Sequence, residues 1–471
     1  MDVAPIVGRR GILTHREGKW LLGIVDLLAV AVPMVLATLQ RHPERPINLT
    51  TTEVGAIVLG FVLWVVLAVS GNLYSLGRAS SLSRTHRATL LSLLVIGAAN
   101  PMFSTPSQDG SAFDTYRYAI LAFFLFGAFR SLFAVGAKVV PFTKRVLIIG
   151  AGVSGGLLAE EFHAKDKRGE RDYQLIGFID DDPTKLGTIH NGYPILGNAA
   201  QVAELVERYQ VDTLALAVNR VQINAEIFSA LVTCKERGIR VWSMPALYEI
   251  LTEKIAVEHV GDNWGIMFPV EHTNQPFVHD VLVRILDIVS GIVGLIITAL
   301  AIPFVALANH FGGSRGPLFY SQMRVGKGGR EFRIYKFRSM VTDAEAAGAK
   351  WAVEGDPRIT RVGNFYRKSR LDELPQFWNV LKGEMSLIGP RPERPEFTKL
   401  LSESIPFFRA RHAVKPGLTG WAQVMYRYGA SEEDSLIKLQ YDLYYIKHRS
   451  PALDLRIIAK SVKTILTGAG R

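Results

Sequence analysis

The stretch Arg145-Val146-Leu147-Ile148-Ile149-Gly150-Ala151-Gly152-Val153-Ser154-Gly155 decides the fold of the middle of this chain. Five residues of buried-strand character run directly into G-x-G-x-x-G and then into a helical pattern, the order of a strand, a tight turn and a helix. Gly150, Gly152 and Gly155 let the backbone approach a pyrophosphate, whose charge meets the positive end of the following helix. A second strand, Leu175 to Ile179, ends in Asp180, Asp181 and Asp182, where Asp180 can meet a ribose hydroxyl. Apolar strands at Val211 to Val218 and Ile239 to Trp242 alternate with helical stretches near Ala203 and Ala225, which predicts a small doubly wound α/β domain over 143–255.

Outward from this domain the chain changes solvent. Its 471 residues are 48% hydrophobic, and the mean hydropathy is +0.17, more apolar than a typical soluble protein. Four apolar runs, Trp20 to Leu39, Val54 to Ser70, Ala88 to Phe103 and Tyr118 to Val140, each approach the roughly 20 residues that cross a bilayer. They predict a four-helix transmembrane bundle over 1–142. Asp26 and Pro33 make the first run a poor signal peptide. Asp26 needs relief from lipid, with Arg130 on the fourth run one partner for it. Arg9, Arg10, Arg16 and Lys19, then Arg78, Arg84 and Arg87, then Lys138, Lys144 and Arg145 put the cation-rich loops on one side, so residues from 145 onward are expected in the cytoplasm.

After a linker at 256–274, a fifth apolar run from Val281 to Ala308 contains Pro303. A straight crossing would place Arg315, Arg324, Lys327, Arg330, Arg333, Lys336 and Arg338 outside, against the positive-inside rule. A kinked, re-entrant helix over 280–308 that returns to the same face satisfies it, because a helix proline removes a hydrogen bond and drives a kink. A fifth crossing is the alternative. Beyond it lie Lys336, Arg338, Arg358, Arg367 and Arg391, set among glycines and prolines, a density of cations suited to phosphate. Within this stretch Asp372 and Glu373 stand side by side just after Arg367, Lys368 and Arg370. An isolated Asp-Glu pair is usually a solvated helix start. Beside fixed cations it can attack phosphorus or hold a divalent metal.

The formal charge of +11 suits lipid headgroups, nucleotide phosphates or nucleic acid and does not choose among them. Cys234, the one cysteine, excludes an intramolecular disulfide and a cysteine metal cluster. Trp421, Tyr441, Tyr444 and Tyr445 could stack a base or sugar; the reading preferred for the C-terminal ones is a membrane-interface belt.

Gln322 to Gly326, Tyr335 to Met340, Ser369 to Gln376, Gly389 to Pro392, Lys415 to Trp421 and Tyr441 to Tyr445 together resemble the catalytic domain of the bacterial polyprenyl-phosphate phosphoglycosyl transferases, monotopic enzymes that begin exopolysaccharide and O-antigen units. The resemblance covers 275–471 and, through the bundle and middle domain, extends to the large members. It implies a mostly α catalytic domain and transfer of hexose-1-phosphate from a UDP-hexose, glucose favoured, to undecaprenyl phosphate, with release of UMP. It implies Asp372 as nucleophile and as ligand of Mg²⁺, Glu373 as its assistant, and Lys336, Arg367, Arg391 and Asp442 as phosphate, nucleotide or polar positions of the site. The expected setting is the bacterial inner membrane with its lipids as partners and no nucleic acid; a homodimer stays open. The family's helix commonly breaks at Ser-Pro, where this chain has Ile302-Pro303.

Residues 177–183 and 192–197 resemble the small nucleotide-binding domains fused to sugar-modifying enzymes, so that the middle domain either takes a nucleotide or is an empty regulatory module. Two other readings compete for the whole chain. One is a nucleotide-sensing membrane scaffold. The other is an NAD-dependent sugar-nucleotide epimerase or dehydratase, for which the middle domain lacks a Tyr-x-x-x-Lys pair.

Overall fold

The computed structural model describes residues 143–170, 172–218, 225–257, 277–311, 316–346, 348, 351, 355–426, 429 and 431–466, with scattered positions within 22–28 and 120–135. The four expected transmembrane runs and Asp26 lie almost wholly outside the described residues; Arg130 is buried. The chain divides into two compact units, Met1–Leu251 and Thr252–Arg471.

In the first unit β1 (Lys144–Ile149), α1 (Val153–Lys167), β2 (Tyr173–Ile179), β3 (Ile189–His190), β4 (Tyr193–Gly197), α2 (Val202–Arg208), β5 (Thr213–Leu216), α3 (Ala225–Glu236), β6 (Arg240–Ser243) and α4 (Met244–Thr252) follow in order. The six-stranded sheet is ordered β3-β4-β2-β1-β5-β6. All its neighbours are parallel except β3 and β4. Alternate residues of β1 serve opposite layers. Val146 and Ile148 pack with Leu158, Ala159 and Phe162 of α1, while Leu147 and Ile149 pack with Val202, Leu205 and Val206 of α2. Burial on both faces explains why β1 reads as an unbroken apolar run rather than an alternating one. Each fully buried Leu, Ile or Phe contributes roughly 1.5–3 kcal/mol. The chain reverses direction across the sheet between β2 and β5, at the C-terminal end of β1, where open α/β sheets form a ligand crevice.

The second unit begins earlier than the sequence suggests. Ile255 and Val257 pack with Leu401, Ile405, Phe408, Leu439 and Leu443, so that residues expected at a domain edge and in a linker belong to this core. Helix α5 (Phe277–Phe311) is one unbroken helix of 35 residues with Pro303 inside it. The backbone stays helical through Pro303, so the expected re-entrant bend is not made by a break in the helix. Pro303 removes a single i to i−4 bond, and Val305 just beyond it is locked in a core with Phe337 and Tyr366. The Tyr366 hydroxyl, with its single proton, lies 3.2 Å from Val305 O and 3.0 Å from Asn309 Oδ1 and can donate to either.

Other elements of this unit lie along α5 from end to end. His279 Nε2 meets Asp454 Oδ2 at 2.9 Å near its start. Asp287 Oδ1 accepts from Ser386 Oγ and Leu387 N, both at 2.8 Å. A Cβ at Gly294 would lie 2.1 Å from the Phe377 ring, so only glycine admits that ring. From His279 to Asn309 is about 45 Å of helix axis, longer than the roughly 30 Å of a hydrocarbon layer. The opposite face exposes Leu282, Ile285, Val289, Ile296, Leu300 and Phe304. α5 is therefore amphipathic, with one face bonded to its own domain and one apolar face uncovered.

Strands β7 (Phe319–Val325) and β8 (Glu331–Phe337) form an antiparallel hairpin. α6 (Arg361–Lys368), capped by Thr360, leads through a 3₁₀ turn (Leu371–Gln376) into α7 (Phe377–Lys382). β9 (Ser386–Ile388) pairs in parallel with β10 (Gly417–Thr419). α8 (Pro395–Ser404), α9 (Trp421–Met425), α10 (Glu432–His448) and α11 (Pro451–Leu466) complete the unit. Trp421, Tyr441 and Tyr445 are core residues, which corrects the membrane-interface expectation. Trp421 lies under the Arg456 guanidinium at 5.0 Å and donates its indole N–H to Glu253 O at 3.2 Å. Intramolecular partners for ring face and N–H alike let an aromatic cluster close inward rather than face the headgroups.

Candidate active site

Asp372 and Glu373 sit on the 3₁₀ turn between α6 and α7. Arg370, in the left-handed region at φ +60°, ends α6 and reverses the chain, and its carbonyl accepts the Glu373 N–H at 3.2 Å. The turn carries both carboxylates inward. Asp372 is 6% exposed and Glu373 7%.

Their surroundings differ sharply. Glu373 Oε1 takes Arg391 Nη2 at 2.7 Å and Lys336 Nζ at 3.3 Å, and Oε2 takes Arg370 Nη1 at 3.4 Å. Asp372 Oδ1 is buried and has no hydrogen-bond partner among the described residues, and neither has Arg367 Nη1. Burial pushes the Glu373 carboxyl up, but Arg391, Lys336 and Arg370 outweigh it and hold it well below the usual carboxylate range. Asp372 moves the other way. Its burial dominates, the neighbouring Glu373 charge adds to it, and Lys336, Arg367 and Arg391 only partly oppose it. Burial lowers the Lys336 ammonium, with Glu373 opposing that shift. The turn thus separates one carboxylate committed to cations from one that is unbonded and more basic, the condition for distinct roles in adjacent acids.

Arg391 is aimed by its backbone. Arg411 Nη2 donates to Arg391 O at 3.1 Å and to Asp442 Oδ2 at 2.7 Å. Arg324 Nη1 donates to Pro392 O at 3.2 Å, and Gly417 N to Pro390 O at 2.8 Å. Asp442 therefore bonds Arg411, which braces Arg391 from behind. Burial raises the Asp442 carboxyl to about 6 despite Arg411. Arg411 was not singled out from the sequence, where it is one cation in the basic run before Lys415.

Two predicted cations are engaged elsewhere. Arg358 forks onto Asp356, with Nε at 2.9 Å from Oδ1 and Nη2 at 2.6 Å from Oδ2, and reaches Ala344 O and Trp351 O. Hydrogen bonds from Arg358 hold Asp356 at about 2. Arg338 Nε donates to Pro317 O at 3.0 Å, and its guanidinium lies over the Tyr320 ring at 5.6 Å. Neither makes a contact with the acidic pair among the described residues.

In the middle domain Gly150 (φ +108°) is required twice, because a Cβ there would lie 2.8 Å from Val218 Cγ1. At Gly155 it would lie 2.1 Å from Gly150 O, whereas at Gly152 nothing stands within 4 Å. Asp180 Oδ2 accepts the Ala151 N–H at 2.8 Å and Lys185 Nζ at 3.2 Å, and Oδ1 accepts the Asp182 N–H at 3.0 Å. The carboxylate expected at a ribose thus already bridges the glycine turn, with Lys185 beside it.

Among the described residues no three His, Cys, Asp or Glu side chains gather as a metal site. Mg²⁺ does not require that, since it commonly takes one or two carboxylates and completes its shell with substrate phosphates and water. The orphaned Asp372 Oδ1 fits such an ion.

A family model described as bacterial sugar transferase matches residues 278–468, and one described as CoA-binding domain matches 70–245. Among curated relatives, the UDP-N-acetylgalactosamine-undecaprenyl-phosphate N-acetylgalactosaminephosphotransferase of Aeromonas hydrophila is 43% identical over 51% of this chain and 55% of its own length. The UDP-glucose:undecaprenyl-phosphate glucose-1-phosphate transferase of Escherichia coli (strain K12) is 30% identical over 68% of each chain. The exopolysaccharide production protein PSS of Rhizobium leguminosarum bv. phaseoli is 39% identical over 40% of this chain and 96% of its own. The chain spans little more than half the length of the first of these. With the acidic turn and its cations inside the matched C-terminal stretch, the chain belongs to the bacterial sugar transferase family.

Proposed function

We propose that this chain transfers a sugar 1-phosphate from a UDP-hexose to undecaprenyl phosphate, releasing UMP. The observation that carries the reading is the unbonded, buried Asp372 Oδ1 beside the unbonded Arg367 Nη1, while Glu373 is saturated by three cations. A Asp372 oxygen attacks the sugar-side phosphorus, the bond to the bridging oxygen breaks, and UMP leaves with that oxygen. A lipid phosphate oxygen then attacks the same phosphorus, the bond to Asp372 breaks, and the lipid diphosphate sugar departs. Lys336, Arg367 and Arg391 supply fixed positive charge where oxygens gain charge, so little reorganisation is needed. Glu373 orients Lys336 and Arg391 rather than reacting. Asp372 would hold Mg²⁺, which when bound offsets diphosphate charge.

The uncovered apolar face of α5 supports contact with lipid, while the opposite face stays bonded to the domain near both ends of the helix. That reading puts the site at the cytoplasmic face of the inner membrane, with the N-terminal runs as its transmembrane anchor. A nucleotide in the middle domain would have to displace Lys185 from Asp180. Relatives named for glucose make UDP-glucose the first donor to test, and UDP-N-acetylgalactosamine follows from the Aeromonas relative. Purified full chain with undecaprenyl phosphate, Mg²⁺ and each UDP-sugar should release UMP. Release of UDP, or of no nucleotide with any donor, would overturn the proposal.

A further inference from the structure

Away from the acidic turn, two cations from distant parts of the chain point at one spot. A Cβ built on Gly383 would lie 3.4 Å from Arg284 Nη1 and 3.5 Å from Lys415 Nζ. The two heads are therefore within about 7 Å of each other, a range at which like charges repel. Gly383 has φ +88° and ends α7, so a small, open position is dictated by the turn itself. Arg284 is held there because its Nη1 and Nη2 donate to Val380 O (3.2 Å) and Leu381 O (3.0 Å).

Neither cation makes an ion pair among the described residues. Asp280 is taken by Arg449 at 3.2 Å, and Oδ1 of Asp287 is taken by Ser386 and Leu387. Lys327, exposed on the β7–β8 turn, adds a third positive charge. The two acids temper this charge from α5 itself, and burial together with Arg284 and Lys327 lowers the Lys415 ammonium.

We propose that Arg284 and Lys415, converging over Gly383, bind the phosphate of an anionic membrane-lipid headgroup whose acyl chains lie along the uncovered face of α5. Val281 and Ile288, one turn before and after Arg284, are exposed apolar residues at the border of that face. Cations at the border of an apolar strip match an amphiphile, with its phosphate on the cations and its tail on the strip. The site is distinct from the reacting centre. Thr298, whose hydroxyl reaches Leu374 O beside the acidic pair, lies about 21 Å further along the helix axis than Arg284. The proposal rests on the reading of α5 as lipid-facing.

The test uses the full chain in phosphatidylcholine nanodiscs doped with phosphatidylglycerol, with retained lipid counted by native mass spectrometry after release. Lys415→Gln is the first variant, since no described residue depends on its ammonium for a hydrogen bond; Arg284→Gln is the second and is read alongside its melting temperature. Each should weaken phosphatidylglycerol retention about fivefold, leave phosphatidylcholine retention unchanged and keep UMP release measurable. Equal retention by wild type and Lys415→Gln overturns the site. Displacement of phosphatidylglycerol by millimolar inorganic phosphate as readily as by added lipid identifies a free-anion site and overturns the lipid assignment. Failure of wild type to enter lipid at all would instead sink the lipid-facing reading of α5.

Discussion

Thr298 Oγ1 donates to Leu374 O at 3.1 Å while also reaching Gly294 O at 2.6 Å, so the long apolar helix is bonded directly to the turn that carries Asp372 and Glu373. The acidic pair is thereby referenced to the helix. A shift of α5 along its axis would move the turn with it.

Thr298→Val keeps the shape of the side chain and removes that link. A net loss of about 1 kcal/mol is expected, with kcat for UMP release falling several-fold and KM for the UDP-sugar nearly unchanged. Steady-state kinetics and thermal melting on the same preparation check this; an unchanged kcat would mean that the turn is positioned without the helix.

Asp372→Asn and Glu373→Gln should fail differently. The first removes the proposed nucleophile from an unbonded position, so UMP release should fall by about 1,000-fold or more while melting changes little. The second leaves Lys336 and Arg391 without their counter-charge, which costs about 3 kcal/mol and should lower the melting temperature as well as the rate. Equal melting of the two variants would contradict the division of roles.

The pH dependence follows from the two opposite shifts. Glu373, depressed in the folded state, contributes stability that is present above the ordinary glutamate pKa of about 4.3 and is lost as pH falls through its lower folded value. Asp372, raised in the folded state, contributes stability below the ordinary aspartate pKa of about 3.9, lost as pH rises through its folded value. Since the proposed attack needs it ionised, the acid limb of kcat/KM should lie above about 3.9. Lys336→Met removes a cation that favours the ionised form, so that limb should move to higher pH. An acid limb that stays in place in the variant would separate it from Asp372.

Asp442→Asn tests the brace behind Arg391. Its amide can still accept a bond from Arg411 but no longer balances its charge, so the expected result is a several-fold rise in KM for the UDP-sugar with a smaller change in kcat. Asp442→Ala should in addition lower the melting temperature, because Arg411 is then left buried and uncompensated. If both variants keep the wild-type KM, Arg411 does not aim Arg391 at the substrate.

Much of the fold is local enough to read along the chain. The glycines at 150 and 155 are demanded by contacts within one strand-turn-helix unit and its neighbouring strand, and the buried run of β1 announces a sheet covered on both faces. At Pro303 one missing backbone bond competes with the packing of Val305, Phe337 and Tyr366, and the helix runs on without a break. The aromatic cluster around Trp421 misled for a similar reason, because spacing does not say whether a cation and a carbonyl await the ring inside the domain.

The sequence by itself determined that two carboxylates stand among clustered cations, after an apolar helix and a glycine-turn domain. Only the tertiary structure decided which carboxylate is available. Lys336, Arg370 and Arg391 come from a strand, a helix end and a proline-bound loop, and they converge on Glu373 alone, leaving Asp372 Oδ1 unbonded. It decided as well that Arg358 forks onto Asp356. Residue type and order set the charges; which charge meets which depends on distances across the folded chain, and at these separations burial and direct contact outweigh sequence proximity.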